Sequence, residues 1–328
     1  MAKYDIIGDI HGYAEELKAL LAQLGYRRDD AGVYRHPERT AVFVGDLVDR
    51  GPGQLEVLQI VKAMVEQGGA HIVMGNHEFN AIAYATPNPN APGDFLRTRK
   101  DPKNTTGHAA FLALTHEQQK DYLDWFKTIP LWLDLGGIRV VHACWNPESM
   151  TVVEAATGGN MLTDLQHYVD ASTKGHPLYE AVETLLKGPE IDLVQYGQQS
   201  YIDHGGKARN QARLRWWDAD AHTLRTLADV RGMKTEDGQD YPALPDLAVD
   251  PALLSYVYTD TVPVIYGHYW FEWDNHRDDW TDYTACVDYS VAKDAGKLVA
   301  YRWDGEPTIN WRNYAPHTRD VVAETPSG

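Results

Sequence analysis

Cysteine is scarce in this chain of 328 residues, which contains only Cys144 and Cys286. Two cysteines are too few for a disulfide framework, and they disfavour a structural zinc site built on thiolates. Each cysteine lies in a strand-like apolar run, where a buried thiol is the ordinary interpretation. We therefore expect neither residue to take part in catalysis.

The chain also lacks a long hydrophobic run and an excess of positive charge. No stretch approaches the ~18 apolar residues that a membrane span needs, and the start MAKYDIIGD has no apolar segment of signal-peptide length. Thirty basic residues stand against 47 acidic ones, which gives a formal net charge of −17. This balance argues against an extended nucleic-acid surface or an anionic-membrane surface. We expect a cytoplasmic protein, and no pattern specifies an oligomeric state.

What the chain does contain fits one large globular domain, because 43% of its residues are hydrophobic and 23% are charged. Over the first 80 residues, short apolar runs alternate with segments of helical hydrophobic spacing. Alternation of this kind predicts a mainly parallel sheet. We predict strands at 3–8, 40–45 and 70–74, and helices at 13–24, 53–67 and from about Asn76 onward.

The rest of the chain is less regular. The stretch 86–107 begins with closely spaced prolines and predicts a long loop, and the capping box of Thr115 and Gln118 predicts a helix. Strands are predicted at 131–135, 138–141, 262–266, 283–289, 297–303 and 308–311, and a further helical patch at 176–187. We therefore predict a single α/β domain over residues 1–328, with an inserted, cap-like helical and irregular segment at about 149–258.

Three predicted strands end in a glycine followed by a residue that can bind a metal ion. The motifs are GDIHG at 8–12, GDLVDRG at 45–51 and GNHE at 75–78. Two later strands lead to His142 and His268. Glycine permits a tight turn at each strand end, and the carboxyl ends of parallel strands meet at one edge of a sheet. We therefore expect these polar side chains to converge.

Together the side chains have the composition of a site for two divalent metal ions. Carboxylate and amide oxygens with imidazole nitrogens suit manganese, our first choice, with iron, zinc, nickel, cobalt and magnesium as alternatives. We assign the bridging position to Asp46, because two ions roughly 3.5–4 Å apart can share a hydroxide for in-line attack at phosphorus. Each residue alone could instead serve a turn or the core. The predicted ligands are Asp9, His11, Asp46, Asn76, His142 and His268.

The three motifs resemble the signature blocks of the calcineurin-like metallophosphoesterases, in the phosphoprotein-phosphatase form that bacterial diadenosine tetraphosphate hydrolases share. The first predicted ligands of the three blocks, Asp9, Asp46 and Asn76, are separated by 37 and 30 residues. Residues 286–289 and 296–301 resemble the closing strand pair of that family. The resemblance is strong over the first 80 residues and hardly extends to the middle of the chain. It implies a four-layer α-β-β-α sandwich.

The resemblance also implies roles for residues beside the ligands. His77 corresponds to the general acid, Asp49 to the carboxylate that orients it, and Arg50 to a phosphate clamp. Chemistry agrees, because a poor alkoxide leaving group needs a proton and a phosphoryl oxyanion suits a bidentate cation. The remaining histidines, including His108, receive no role, and Glu78 is interpreted as structural.

Four basic residues cluster in the predicted insertion: Lys207, Arg209, Arg213 and Arg215. They could form a solvated basic face. They could also include a second phosphate-binding strand, on which Arg213 and Arg215 alternate onto one side. We favour the second interpretation, above all for Arg215.

These features predict a metal-dependent phosphoesterase that hydrolyses phosphomonoesters or nucleotide phosphoanhydrides in the manner of a protein phosphatase. The alternative is a hydrolase of dinucleoside polyphosphates such as diadenosine tetraphosphate. The motifs are common to both, so the substrate is a phosphorylated small molecule, a nucleotide or a phosphoprotein. A third possibility is a metal-binding module without catalysis, against which the intact His77, Asp49 and Arg50 argue.

Overall fold

The computed structural model of the protein describes residues 2–203, 206–273 and 280–317. Its α-helices are, in chain order, α1 (Ala14–Leu24), α2 (Gln54–Glu66), α3 (Asn76–Ala85), α4 (Pro102–Gly107), α5 (Ala109–Leu112), α6 (His116–Phe126), α7 (Pro147–Thr157), α8 (Leu165–Ala171), α9 (Pro177–Lys187), α10 (Leu224–Leu227) and α11 (Pro251–Leu254). Its strands are β1 (Tyr4–Ile7), β2 (Arg27–Arg28), β3 (Tyr34–Arg35), β4 (Thr40–Phe43), β5 (Ala70–Ile72), β6 (Trp132–Asp134), β7 (Arg139–Val141), β8 (Glu190–Asp192), β9 (Tyr201–Ile202), β10 (Ala208–Arg209), β11 (Gln211–Leu214), β12 (Ala228–Asp229), β13 (Val264–Tyr266), β14 (Thr284–Cys286), β15 (Asp288–Tyr289), β16 (Lys297–Trp303) and β17 (Tyr314–Pro316).

Two central sheets organise the fold. The first has the strand order β15-β16-β1-β4-β5, with β17 paired to β16. Strands β1, β4 and β5 run parallel, as the alternating sequence pattern predicts, and β16 runs antiparallel to β1. The second sheet has the order β14-β13-β7-β6. In it, β6 and β7 form the predicted hairpin, and β13 runs parallel to both β7 and β14.

The buried side chains of these strands divide between an inner and an outer core. Adjacent residues of a strand point to opposite faces. Ile6 of β1 therefore packs in a cluster with Val140 and Ile265 of the second sheet. Its neighbour Ile7 belongs to a larger cluster that includes Leu17 of α1. The two sheets face each other and helices cover them, so the fold is the four-layer α-β-β-α sandwich that the sequence resemblance implies.

Helices cover both outer faces. On the first sheet, α1 contacts β16 and α2 contacts β5. Beside the second sheet, the amide of Ala143 donates a hydrogen bond to the carbonyl of Leu185 in α9, and α7 and α8 pack on α9. Helix α9 buries one apolar face, which carries Leu178, Val182 and Leu185. These helices hold the ends of the strands in place, and the candidate site lies at those ends.

The segment between β7 and β13 consists of two structurally different parts. Helices α7 to α9 form the first part. The second part contains a small sheet of order β12-β11-β8 and the separate pair β9-β10. Its apolar residues form a core of their own around Leu193, Leu214 and Leu227. Trp216 joins this part to the second central sheet, because its ring centroid is 4.8 Å from that of Tyr266. The description of the segment as a cap remains a prediction.

Most predicted elements are confirmed, and three differ. The strand predicted at 283–289 is divided between β14 in the second sheet and β15 in the first. Helix α4 forms inside the stretch predicted as a loop, because Asp101 accepts the amide hydrogen of Lys103 and Pro102 occupies the first turn. No strand forms at 308–311, because the Asn310 side chain accepts the amide hydrogen of Arg312 and starts a 3₁₀ turn instead. Among the described residues, no helix combines the length and apolar character required to span a bilayer.

Candidate metal centre

The six predicted ligands lie together at one rim of the central sheets. Each is at least 92% buried, and each comes just after a strand: Asp9 and His11 follow β1, Asp46 follows β4, Asn76 follows β5, His142 follows β7 and His268 follows β13. The Asn76 side-chain oxygen is 3.1 Å from Nε2 of His142. The Asp9 carboxylate accepts the amide hydrogen of His268 at 3.3 Å. The convergence expected from the strand-end motifs is therefore present.

Asp46 occupies the centre of this group. Its Oδ2 atom is 3.6 Å from Nε2 of His11, whereas its Oδ1 atom is 3.5 Å from Nε2 of His142. Asp46 also belongs to two sets of potential metal ligands, one with His11 and His77 and the other with His142 and His268. Its two oxygens thus face two different groups of ligand atoms, which is the position that a bridging carboxylate requires.

Backbone carbonyl groups orient two of the three predicted histidine ligands, His11 and His142. The Nδ1 atom of His11 lies 3.0 Å from the carbonyl oxygen of Val48, and that of His142 lies 2.7 Å from the carbonyl oxygen of Val44. An Nδ1–H that donates in this way leaves the lone pair on Nε2, where a metal ion can bind. Nε2 of His11 and both ring nitrogens of His268 are buried without a hydrogen-bond partner in the described structure. Buried polar atoms are nearly always paired, so these nitrogens fit metal ligands.

The site also concentrates negative charge in a buried space. Burial raises the pKa of Asp9, and the neighbouring carboxylates of Asp288 and Asp46 raise it further. Burial likewise raises the pKa of Asp288, and Asp46 adds to the effect. Divalent cations would offset this repulsion, and the mixed oxygen and nitrogen donors suit them. Asp288 was not among the predicted site residues, although it lies two residues after the buried strand β14.

The backbone around the site is strained. A left-handed φ in a residue other than glycine costs on the order of 1–3 kcal/mol and persists only where surrounding structure holds it. Such residues cluster here, with φ between 48° and 73°: His11, Asp46, Asp49, Arg50, His268 and Trp270. These backbone conformations let side chains that are close together in the sequence point towards the same site. Regular strand or helix geometry would direct them to different faces.

Glycine and a buried glutamate hold the second and third motifs together. A Cβ atom at Gly75 would come within 2.3 Å of the backbone nitrogen of Asp46, so only glycine permits this approach. The carboxylate of Glu78 accepts amide hydrogens from Asp46, Leu47 and Gly75. These bonds fix the loop that carries Asp46, in agreement with the structural role expected for Glu78.

His77 and Asp49 form the pair expected of a general acid and its orienting carboxylate. The His77 Nδ1 atom is 2.5 Å from Oδ2 of Asp49, and its Nε2 atom is 3.9 Å from Oδ2 of Asp46. Burial alone would lower the pKa of His77, but the carboxylates of Asp46 and Asp49 outweigh it and raise the pKa above its usual value. The imidazolium form is thereby stabilised, with Nε2 on the side of the candidate ligands.

A second histidine that sequence analysis left without a role contacts the same carboxylate. Nδ1 of His108 is 2.9 Å from Oδ2 of Asp49, and the ring is buried. The Gln54 side chain accepts the amide hydrogen of Asp49 at 2.7 Å. Asp49 is therefore fixed from three sides. No spacing in the sequence signals His108, because it lies between the short helices α4 and α5, and only the folded chain determines where these helices pack.

Arg50 and Trp270 lie next to each other at the edge of the site. The Arg50 guanidinium is centred 4.3 Å from the Trp270 ring, and Arg50 itself is exposed. The Trp270 amide donates to Asp288, which places the loop after His268 against the acidic residues. In this position Arg50 is accessible to an incoming anion, and the Trp270 ring restricts its motion. Its role as a phosphate clamp stays a prediction.

The structure separates the two arginines that sequence analysis grouped together. Arg213 donates a hydrogen bond of 3.0 Å to the carbonyl oxygen of His268, so it lies against the candidate ligands. Arg215 follows the end of β11 and lies 3.5 Å from Asp218. Arg213 therefore has the clearer structural link to the site, although the sequence favoured Arg215.

Comparison with known proteins identifies the family that has this fold and this arrangement of candidate ligands. The model of the calcineurin-like phosphoesterase family matches residues 2–289. The chain belongs to the calcineurin-like phosphoesterases. The strand-end motifs and the four-layer sandwich are accordingly features that this phosphoesterase shares with its family.

Curated relatives match part of this phosphoesterase. An asymmetrical bis(5'-nucleosyl)-tetraphosphatase PrpE from Oceanobacillus iheyensis is 36% identical over 146 residues, which are 43% of this chain and 55% of the relative. The PrpE protein of Bacillus subtilis is 36% identical over 147 residues, which are 43% of this chain and 57% of that protein. The chain thus spans little more than half the length of these relatives.

One solved structure that the chain matches is a protein serine/threonine phosphatase from Saccharomyces cerevisiae. The two are 13% identical, with a TM-score of 0.47, and the match covers 96% of this chain and 78% of the yeast protein.

Proposed function

We propose that this phosphoesterase hydrolyses dinucleoside polyphosphates such as diadenosine tetraphosphate, with two divalent metal ions as cofactors. The observation that carries the proposal is the buried Asp46 between two groups of candidate ligands, with the His77–Asp49 pair beside it. The names of the curated relatives support a nucleoside tetraphosphate substrate and asymmetric cleavage. The alternative considered from the sequence is thus better supported than the protein-phosphatase hypothesis.

Each part of the site has a proposed task. Asp9, His11, Asp46, Asn76, His142 and His268 would hold the metal ions. Bound there, the ions would supply electrophilic activation of the phosphate and a water molecule of lowered pKa. Arg50 binds the oxygens of the phosphate under attack, for which a guanidinium fork is suited.

His77 acts as the general acid in this proposal. Asp49 accepts the hydrogen bond from its Nδ1 atom, so the Nε2–H is the group that donates a proton to the leaving oxygen. His108 holds the Asp49 carboxylate from a second direction and is a positioning residue. The proton transfer matters most when the leaving group is a poor one, because its departing oxygen otherwise carries a full negative charge.

The substrate class is tested by product analysis. In the presence of Mn²⁺, the protein is expected to convert diadenosine tetraphosphate to ATP and AMP, which chromatography separates from substrate. Phosphopeptides and p-nitrophenyl phosphate are assayed in parallel. Formation of two ADP molecules would contradict asymmetric cleavage. Rapid phosphopeptide hydrolysis without nucleotide cleavage would instead favour the protein-phosphatase hypothesis.

A matched pair of variants distinguishes the two arginines. Arg213→Lys is expected to lower kcat/KM about tenfold, roughly 1.4 kcal/mol, because lysine keeps the charge but loses the fork that contacts His268. Arg215→Lys, in the same strand region, is expected to change kcat/KM by about twofold or less, because Arg215 lies next to Asp218. Steady-state kinetics on one substrate provides the measurement. A larger loss for Arg215→Lys would restore the order favoured by the sequence.

A further inference from the structure

A cavity of about 500 Å³ lies between the metal-centre rim and the small sheet of the middle segment. Its lining includes Arg213 and Tyr269 on the side of His268, Trp270 and Lys293 towards Arg50, and Arg209 and Arg231. The volume lies within the usual range for sites that bind small molecules, which is roughly 300–1,000 Å³. No step of the reaction described above uses this cavity.

The cavity is continuous with the rim through side chains already described. Arg213 contacts the carbonyl oxygen of His268, and Tyr269 and Trp270 follow that histidine in the chain. The Trp270 ring lies 4.3 Å from the Arg50 guanidinium and 5.7 Å from the Lys293 ammonium. A ligand phosphate at Arg50 would therefore lie beside Trp270 of the lining, and a longer substrate could extend from it towards Lys293.

The cations of the lining fall into two groups. Arg209 and Arg231 are neutralised by carboxylates, at 2.9 Å from Asp203 and 2.7 Å from Asp229. Arg213 and Lys293 form no ion pair with any carboxylate in the described ranges, although Glu190 faces Arg213 across the strands. Unpaired cations are available to an anionic ligand, and two of them line this cavity although the chain has a net charge of −17.

We propose that this cavity binds the part of a nucleoside polyphosphate that extends beyond the phosphate under attack. The inference rests on the proposed function and specifies how the substrate is recognised. Arg213 and Lys293 bind phosphate oxygens of the chain, and the carboxylate of Glu272, which also lines the cavity, is placed to accept hydrogen bonds from ribose hydroxyls. A compact cavity with cations in its lining fits a nucleotide better than an extended peptide, which needs an open groove or a sheet edge.

The test compares a long and a short substrate. Lys293→Gln is expected to raise KM for diadenosine tetraphosphate about tenfold, because a charged hydrogen bond to phosphate is lost. Hydrolysis of p-nitrophenyl phosphate should change less than about twofold, because that substrate ends before the cavity. Lys293→Glu should enlarge the difference by repelling the phosphate chain. The matched control is Lys174→Gln, at an exposed turn between α8 and α9, which should change neither activity.

Inhibition measurements separate this inference from the proposed function. In the holoenzyme, ATP should inhibit p-nitrophenyl phosphate hydrolysis more strongly than inorganic tripolyphosphate does, and Lys293→Gln should weaken the inhibition by ATP. The inhibition measurement tests the cavity even if the parent does not cleave diadenosine tetraphosphate. Such a lack of cleavage would refute the proposed substrate but not nucleotide binding in the cavity. Equal inhibition by ATP of parent and variant would overturn the inference. Equal potency of tripolyphosphate, or an equally large loss on phosphopeptides, would overturn the assignment to a nucleoside.

Discussion

An Asp46→Asn variant is expected to lose most of its bound metal and to hydrolyse substrate at least about a thousandfold more slowly than the parent. The reason is geometric, because the two carboxylate oxygens of Asp46 face different groups of candidate ligands. An amide keeps the shape of the side chain but replaces one oxygen with a nitrogen that cannot bind a cation. Elemental analysis and steady-state kinetics on the same preparation measure both effects.

A buried carboxylate outside the site provides the control for this variant. Asp5 is fully buried and paired with Arg39 and Arg302. Asp5→Asn is expected to lower the melting temperature, because it removes the buried carboxylate charge that both arginines share, while the metal content stays at the parental level. Asp46→Asn should melt in chelator close to the parent, because the side-chain oxygen of asparagine can still accept the amide hydrogen of His77. Two ions per chain and full activity in Asp46→Asn would refute the bridging assignment.

The second large effect is expected at the general acid. His77→Asn should keep its bound metal but lose about 10²–10⁴ in rate towards substrates with poor leaving groups. An activated aryl phosphate should lose much less, because its leaving group departs without a proton. Plotting rate against leaving-group pKa for parent and variant provides the measurement, and the variant should show the steeper slope.

Two further histidine variants, at His108 and at the exposed His116, test the role of the His77–Asp49 pair. His108→Asn should show the same dependence on the leaving group with a smaller loss, because the hydrogen bond of His77 to Asp49 remains when the second partner is gone. His116→Asn, at an exposed position of α6, should behave as the parent. A uniform loss on all substrates in His77→Asn, or a loss of metal, would show that His77 is a ligand or a structural residue instead.

The sequence specified much of the sheet architecture and the candidate ligands. Strand and helix patterns are local, because the chain neighbours of each residue decide whether an apolar face repeats every second or every third to fourth position. The glycine-led motifs that hold Asp9, Asp46 and Asn76 lie at strand ends, and parallel strands bring such ends to one edge. Local effects also explain two wrong predictions. The side chains of Asp101 and Asn310 each cap a short helical segment where a loop and a strand were predicted.

Only the tertiary structure determined which residues that are far apart in the sequence contact each other at the site. His108 and Asp49 are 59 residues apart, and no periodicity relates them. Asp288 matters to the site because its carboxylate is buried near those of Asp46 and Asp9 and repels them. Arg213 lies at the site because it donates a hydrogen bond to the backbone carbonyl of His268. The cavity beside Trp270 likewise depends on how the small sheet packs against the rim. Contacts of this kind follow from packing between distant segments, which the local order of residues does not encode.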